Sequence, residues 1–181
     1  MTYVGIDVSK ATFVVAYSSA KNSKTRTFKN TTKGVHEFIQ TLSVTEHHCV
    51  LEATGNYSAL LVYLLSEAGI TVSLENPLKI KNFARVMLSV NKTDETDARL
   101  IALYGERMQP SPYKLRSKSI LILKQKRTVL RQLKKQLVAT RNLKGSMEVL
   151  PLFDAKCKQT IEKTITFLEK QIKGMEEELA S

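Results

Sequence analysis

Residues 3–17 read Tyr3-Val4-Gly5-Ile6-Asp7-Val8-Ser9-Lys10-Ala11-Thr12-Phe13-Val14-Val15-Ala16-Tyr17. The first part, Tyr3 to Val8, is a short apolar run whose end carries a carboxylate, Asp7. A β-branched and aromatic run follows from Thr12 to Tyr17, and Lys24 to Lys29 then alternates basic side chains with Thr25, Thr27 and Phe28. Three such runs separated by short turns predict an antiparallel meander.

Working outward, Val35, Phe38, Ile39 and Leu42 are spaced as one face of a helix over Thr32 to Leu42. His48-Cys49-Val50-Leu51 reads as a buried strand ended by Glu52-Ala53-Thr54-Gly55. Tyr57 to Ala68 reads as a Leu-rich helix closed by Gly69. Ile70 to Leu74 is a fifth strand, and Pro77 opens another helix at a tolerated position. A further helix runs to about Met108, with Thr93 as its N-cap and Asp94 and Glu95 in the acid-favouring first turn. The class is therefore α/β up to about residue 110, where Pro110 and Pro112 mark a boundary. Beyond it, 111–181 reads as two long helices, about Leu115 to Lys144 and a second bearing Ile161, Ile165, Leu168, Ile172, Met175 and Leu179 at alternating spacings of four and three. Gly145 and Pro151 bracket the expected link. An antiparallel hairpin, a coiled-coil dimer, or both would cover the seams.

The charge is concentrated in the first of those helices. The 181 residues carry 28 Lys plus Arg against 17 Asp plus Glu, a net +11, and residues 101–150 hold 12 of the bases and only 2 of the acids. Between Lys114 and Lys144 there are eleven bases and no acid. A one-sign stretch repels itself unless a polyanion neutralises it, which points first to nucleic acid and second to an anionic membrane surface. Lys124, Lys126, Arg127, Arg131, Lys134 and Lys135 are the candidate contacts. No apolar run reaches bilayer length, no secretory leader opens the chain, and Cys49 and Cys157 make neither a disulfide framework nor a zinc cluster. Free thiols inside a cell are the plain reading.

Four carboxylates stand out by placement. Asp7 and Glu52 each end an apolar strand, while Asp94 and Asp97, three apart at a helix start, share one face. Singly, each has an ordinary structural role: Asp7 in a turn, the Asp pair at a helix N-terminus. Together they deliver acid to one place if the two strands are neighbours. Converging carboxylates raise one another's pKa unless a cation intervenes. Hard oxygen ligands select Mg²⁺ or Mn²⁺, and paired ions of that kind serve phosphodiester chemistry. Lys10 and Lys92 flank the acids as candidates for phosphate contact.

Gly5-Ile6-Asp7-Val8-Ser9-Lys10, Leu51-Glu52-Ala53-Thr54-Gly55-Asn56-Tyr57 and Asn91-Lys92-Thr93-Asp94 through Asp97-Ala98-Arg99, in this order, resemble the signature of the DEDD transposases, an insertion-sequence family that includes the Piv site-specific DNA invertases. The resemblance spans about residues 1–145. It implies a ribonuclease-H-like (RuvC-like) mixed sheet with flanking helices, a divalent-metal site on Asp7, Glu52, Asp94 and Asp97, and a coiled coil leading into a second domain with a nucleophilic serine. It also implies DNA as substrate, in some members a structured guide RNA, and work at the nucleoid in a bacterial or archaeal cytoplasm. The chain stops at Ser181, so that serine-bearing domain is expected to be absent and the sequence to be an N-terminal portion. A homo-oligomer through the coiled coil is expected, and no membrane partner.

Three other readings compete. A RuvC-like Holliday-junction resolvase would use the same acids without any serine domain. A basic coiled-coil adaptor would bind nucleic acid without metal. A sugar-kinase-like ATP-binding fold also begins with Gly-Ile-Asp, but it needs a second glycine-rich phosphate loop, and none of the seven glycines forms one.

Overall fold

The computed structural model describes residues 1–87 and 93–180, which divide into a first unit, Met1–Leu115, and a second from Arg116 onward. The first unit is built on five strands: β1 (Thr2–Val8), β2 (Thr12–Ala16), β3 (Thr25–Lys29), β4 (His47–Glu52) and β5 (Thr71–Glu75). Their order across the sheet is β3-β2-β1-β4-β5. The first three pair antiparallel as the expected meander, while β4 and β5 run parallel to β1. This is a mixed five-stranded sheet with helices on both faces.

Strand alternation sorts the two faces. Val4, Ile6 and Val8 point to one side with Phe13, Val15, Phe28, Cys49, Leu51 and Val72. There α1 (Thr32–Ile39) contributes Val35 and Phe38, and α2 (Ala59–Glu67) contributes Leu61, Val62 and Leu65. Thr31 starts α1 by accepting from the Gly34 N–H at 3.2 Å. The opposite face carries α3 (Pro77–Val86) and α4 (Asp94–Met108), with Ile80, Ile101 and Tyr104 against Val50.

Two glycines fix how closely α4 lies on that face. A Cβ on Gly5 would stand 2.0 Å from the Ala98 carbonyl oxygen and 2.3 Å from the Ala102 nitrogen. One on Gly105 would stand 2.7–2.9 Å from the Tyr3 side chain. The helix therefore crosses β1 in the reverse direction, Gly105 over Tyr3 and Ala98–Ala102 over Gly5.

The segment after α4 stays with the first unit. The Tyr113 N–H donates to the Val72 carbonyl at 2.6 Å. Ser73 Oγ, fully buried, lies 3.0 and 2.9 Å from the Pro110 and Ser111 carbonyls and 2.8 Å from His48 Nε2. One hydroxyl proton serves both carbonyls, so the inferred tautomer has His48 donating from Nε2. Burial pushes the His48 pKa down and keeps the ring neutral.

The second unit is an antiparallel pair, α5 (Lys118–Glu148) and α6 (Ala155–Ala180). Leu168 and Ile172 of the expected α6 seam are buried, and Ile161, Ile165, Met175 and Leu179 are half-buried. On α5, Leu130, Leu133, Leu137 and Met147 are half-buried. Gly145 does not bracket the link; it lies within α5, which runs on to Glu148. Glycine in an exposed helix costs only about 1 kcal/mol relative to Ala, too little to end it. The chain turns instead over Val149 to Asp154, where Pro151 stands.

Candidate active site

The four expected acids belong to three elements that the fold draws to one edge. Ile6 pairs with Leu51 in the parallel ladder, so Asp7 and Glu52 follow as the next residues on adjacent strands. Asp7 shares a face with Tyr3 and Gly5, the face that α4 covers. Since α4 runs from Gly105 over Tyr3 to Ala98 over Gly5, its next turn brings Asp97 and Asp94 toward Asp7. Thr93 holds that turn in place, accepting from the Thr96 N–H at 3.2 Å, and the helix N-terminus favours carboxylates there.

Electrostatics report the convergence. The Asp7 carboxyl is pushed up from 3.8 to about 6, first by burial and then by the charges of Asp97, Asp94 and Glu52, in that order. The Val8 N–H opposes the shift and is outweighed. Asp97 and Glu52 are half-buried and Asp94 is exposed. Among the described residues, no three His, Cys, Asp or Glu side chains already stand in metal-holding geometry.

A fifth acid ends a strand at this edge. Leu51 pairs with Leu74 and Glu52 with Glu75. The Glu75 side chain is 12% exposed, accepts from Tyr104 Oη at 3.3 Å and pairs with Lys79 at 3.0 Å. Its charge is thus answered by the protein itself. The sequence signal that marks Glu52, an acid directly after an apolar strand, is equally present in Ser73-Leu74-Glu75.

The loops beyond Asp7 and Glu52 are tied together. Ser9 closes the β1–β2 turn through its N–H and Oγ, both to the Thr12 carbonyl at 2.9 and 2.8 Å, leaving Lys10 exposed at the tip. The Asn30 amide donates to the Ser9 carbonyl at 3.0 Å and to the Tyr57 carbonyl at 2.9 Å, joining that turn to the β4–α2 loop. Lys92 lies outside the described residues, as does Asn91. Arg99 points elsewhere, forking the Ser23 carbonyl at 3.1 and 2.9 Å.

The basic candidates on α5 fall into two sets. Lys126 and Lys134 reach across the hairpin to Glu178 and Glu176, as do Arg141 and Lys144 to Glu169 and Glu162. These exposed pairs set the register of the two helices more than they stabilise them. Among the described residues, Lys124, Arg127, Arg131 and Lys135 form no ion pair; they recur every three or four residues, on one exposed stripe. No described helix is long and apolar enough to cross a membrane.

Known proteins are similar to this chain. Two relatives, the "Pilin gene-inverting protein" of Moraxella bovis and that of Moraxella lacunata, are each 34% identical over 146 residues. The match covers 75% of this chain and 45% of each relative, so the chain spans under half the length of those proteins. Among solved structures, that of Thermus thermophilus RuvC superposes with a TM-score of 0.42 at 14% identity, over 62% of this chain and all of that one. A family model described as "Transposase", the DEDD type of insertion sequence IS110, matches residues 4–147 and so takes in every acid of the edge, the α3–α4 stretch and nearly all of α5. The chain belongs to the DEDD transposase family.

Proposed function

We propose that this chain carries the metal-dependent strand-cleavage centre of a DNA transposase or site-specific recombinase. Asp7, Glu52, Asp94 and Asp97 are its carboxylates. The observation that carries the reading is the elevated Asp7 carboxyl, with the other three acids as the charges acting on it. A half-buried acid facing three like charges is costly to ionise, and a divalent cation among the four removes that cost. The donor set is all hard oxygen, which fits Mg²⁺ or Mn²⁺ and excludes a soft-metal site. Such ions, when bound, activate a nucleophile and stabilise a leaving oxygen at a phosphodiester. The protein's own part is positional. Two observations support that reading: the close approach of α4 to Gly5, and the β1–β4 register that pairs Ile6 with Leu51, the residues just before Asp7 and Glu52. Lys10, at the tip of the neighbouring turn, and Lys92 supply cations for the phosphate backbone.

The four cations on the outer stripe of α5 bind nucleic-acid phosphates, either DNA or a structured guide RNA. Contacts of that kind position a strand without reading its sequence. Ile122, Val129 and Val138 stay exposed along the same helix, where a second copy would cover them in a homo-oligomer. The Moraxella relatives are named for inverting a pilin gene, and DNA inversion or transposition, at the nucleoid, is the activity in which we place this chain.

Thermal melting in Mn²⁺ tests the centre. Ligand at a hundredfold excess over its dissociation constant adds about 2.7 kcal/mol to the native state. Glu52→Gln and Asp97→Asn should lose that gain, and Glu75→Gln, whose parent is already paired with Lys79, should keep it. Equal gains in all three variants would remove the site.

A further inference from the structure

We propose that Tyr57 is a stacking platform for an unpaired nucleobase of the DNA strand held at the carboxylate edge. The assignment rests on reading that edge as a DNA-processing centre. Of the six tyrosines, Tyr57 alone is exposed, at 48%. The others are engaged in the body of the first unit: Tyr3 on the His48 ring, Tyr17 on Thr41 and Phe38, Tyr104 on Phe83 and Glu75, Tyr113 on the main core, and Tyr63 half-buried in α2. Among the described residues it is also the only exposed Phe or Tyr of that unit.

The backbone carrying this ring is fixed while the ring is not covered. Tyr57 stands five residues beyond Glu52, in the loop between β4 and α2. Its carbonyl is held by the Asn30 amide, whose other hydrogen holds the carbonyl of Ser9, two residues beyond Asp7. Gly55, at φ 65, makes the turn that a side chain would strain, and Ser58 Oγ donates to the Gly55 carbonyl at 3.3 Å. The two strands that deliver the acids thus also deliver Tyr57, and Asn30 is the positioning residue that locks the second loop to the first.

The surroundings select a nucleic-acid strand over a protein partner. A docking protein needs a contiguous apolar patch. Here the ring is neighboured in sequence by the exposed Asn56, and across the Asn30 clasp by the turn carrying the exposed Lys10. A single exposed π-face, on a loop tied to one that carries a cation, suits one base and its phosphate. Such stacking is sequence-tolerant, so Tyr57 favours single-stranded character rather than a particular base.

The chain has no tryptophan, so Tyr57→Trp places a lone fluorophore at the proposed site. In EDTA, oligo-dT should quench that emission, and an abasic strand of equal length and charge should not. Tyr57→Ala should bind oligo-dT about 5- to 150-fold more weakly than wild type, the value of one base–aromatic stack. Tyr57→Phe should bind as wild type does, and both variants should melt as wild type does because the ring is exposed. Equal affinity of wild type for the abasic strand, undiminished binding by Tyr57→Ala, or a Tyr57→Phe as weak as the Ala variant overturns the assignment. Because these titrations contain no metal, failure of the metal-site reading would show separately, as a missing Mn²⁺ melting shift in the wild-type chain.

Discussion

Replacing Asp7 with Asn should stabilise the metal-free protein, the opposite of what deleting a well-satisfied side chain does. The folded carboxyl titrates at about 6 against 3.8 in the free residue, with burial as the first cause and Asp97, Asp94 and Glu52 following. A carboxyl raised in the folded state binds its proton more tightly there than in the unfolded chain. Stability is therefore intact at low pH and is lost as pH rises from 3.8 through 6. At 1.36 kcal/mol per pH unit the loss is about 3 kcal/mol, which solvent screening of a half-exposed group reduces to about 1–2 kcal/mol. Asn is nearly isosteric and carries no charge, so it recovers that amount above pH 6. For a domain of this size the gain is a rise of about 4–8 °C in melting temperature. Circular-dichroism melts in EDTA at pH 8 should show the Asn variant above wild type, and the gap should shrink as the pH falls to 4.5. With saturating Mn²⁺ at pH 8 the order should reverse, because only wild type gains the ligand term. A variant no more stable than wild type in EDTA at pH 8, or a gap unchanged at pH 4.5, would refute the electrostatic reasoning.

Gly5→Ala should cost more than about 3 kcal/mol in a thermal melt, since its Cβ would meet Ala98 and Ala102 backbone atoms that cannot move aside. Ser73→Ala should cost about 1–3 kcal/mol by leaving His48 and two carbonyls facing one another unsatisfied, read from urea midpoints. Replacing Lys124, Arg127, Arg131 and Lys135 with Gln should reduce the salt slope of duplex binding by about 3–4, whereas Lys126→Gln with Lys134→Gln should change it little, because Glu178 and Glu176 already occupy those cations. Light scattering of the intact chain should give a dimer or higher oligomer; a monomer at high concentration would leave Ile122, Val129 and Val138 as isolated surface residues.

What the amino-acid order made legible was what local spacing encodes. The meander, the buried strand ending in Glu52, the Thr93 cap and the α6 seam all follow from local residue patterns, and each stands where its pattern puts it. The convergence of Asp7 with Glu52 needed one further step, adjacency of β1 and β4, which no local pattern states. Features set by distant neighbours stayed hidden. Lys126 and Lys134 look like their free neighbours until α6 folds back on them. Tyr57, a helix-start aromatic of the kind that ordinarily joins a core, is left outside because the loop from Thr54 to Ser58 precedes α2 rather than forming its first turn. Glu75 was hidden in another way: its strand-end position was plain, but its neutralisation by Lys79 and Tyr104 was not.

The central claim is that Asp7, Glu52, Asp94 and Asp97 together hold a divalent cation. Crystals of the chain grown with Mn²⁺ and measured at the manganese absorption edge test it directly. One or two anomalous peaks bounded by those four carboxylates are predicted, two peaks standing roughly 3.5–4 Å apart. Manganese bound only elsewhere, or an edge with no anomalous density at saturating Mn²⁺, would contradict it.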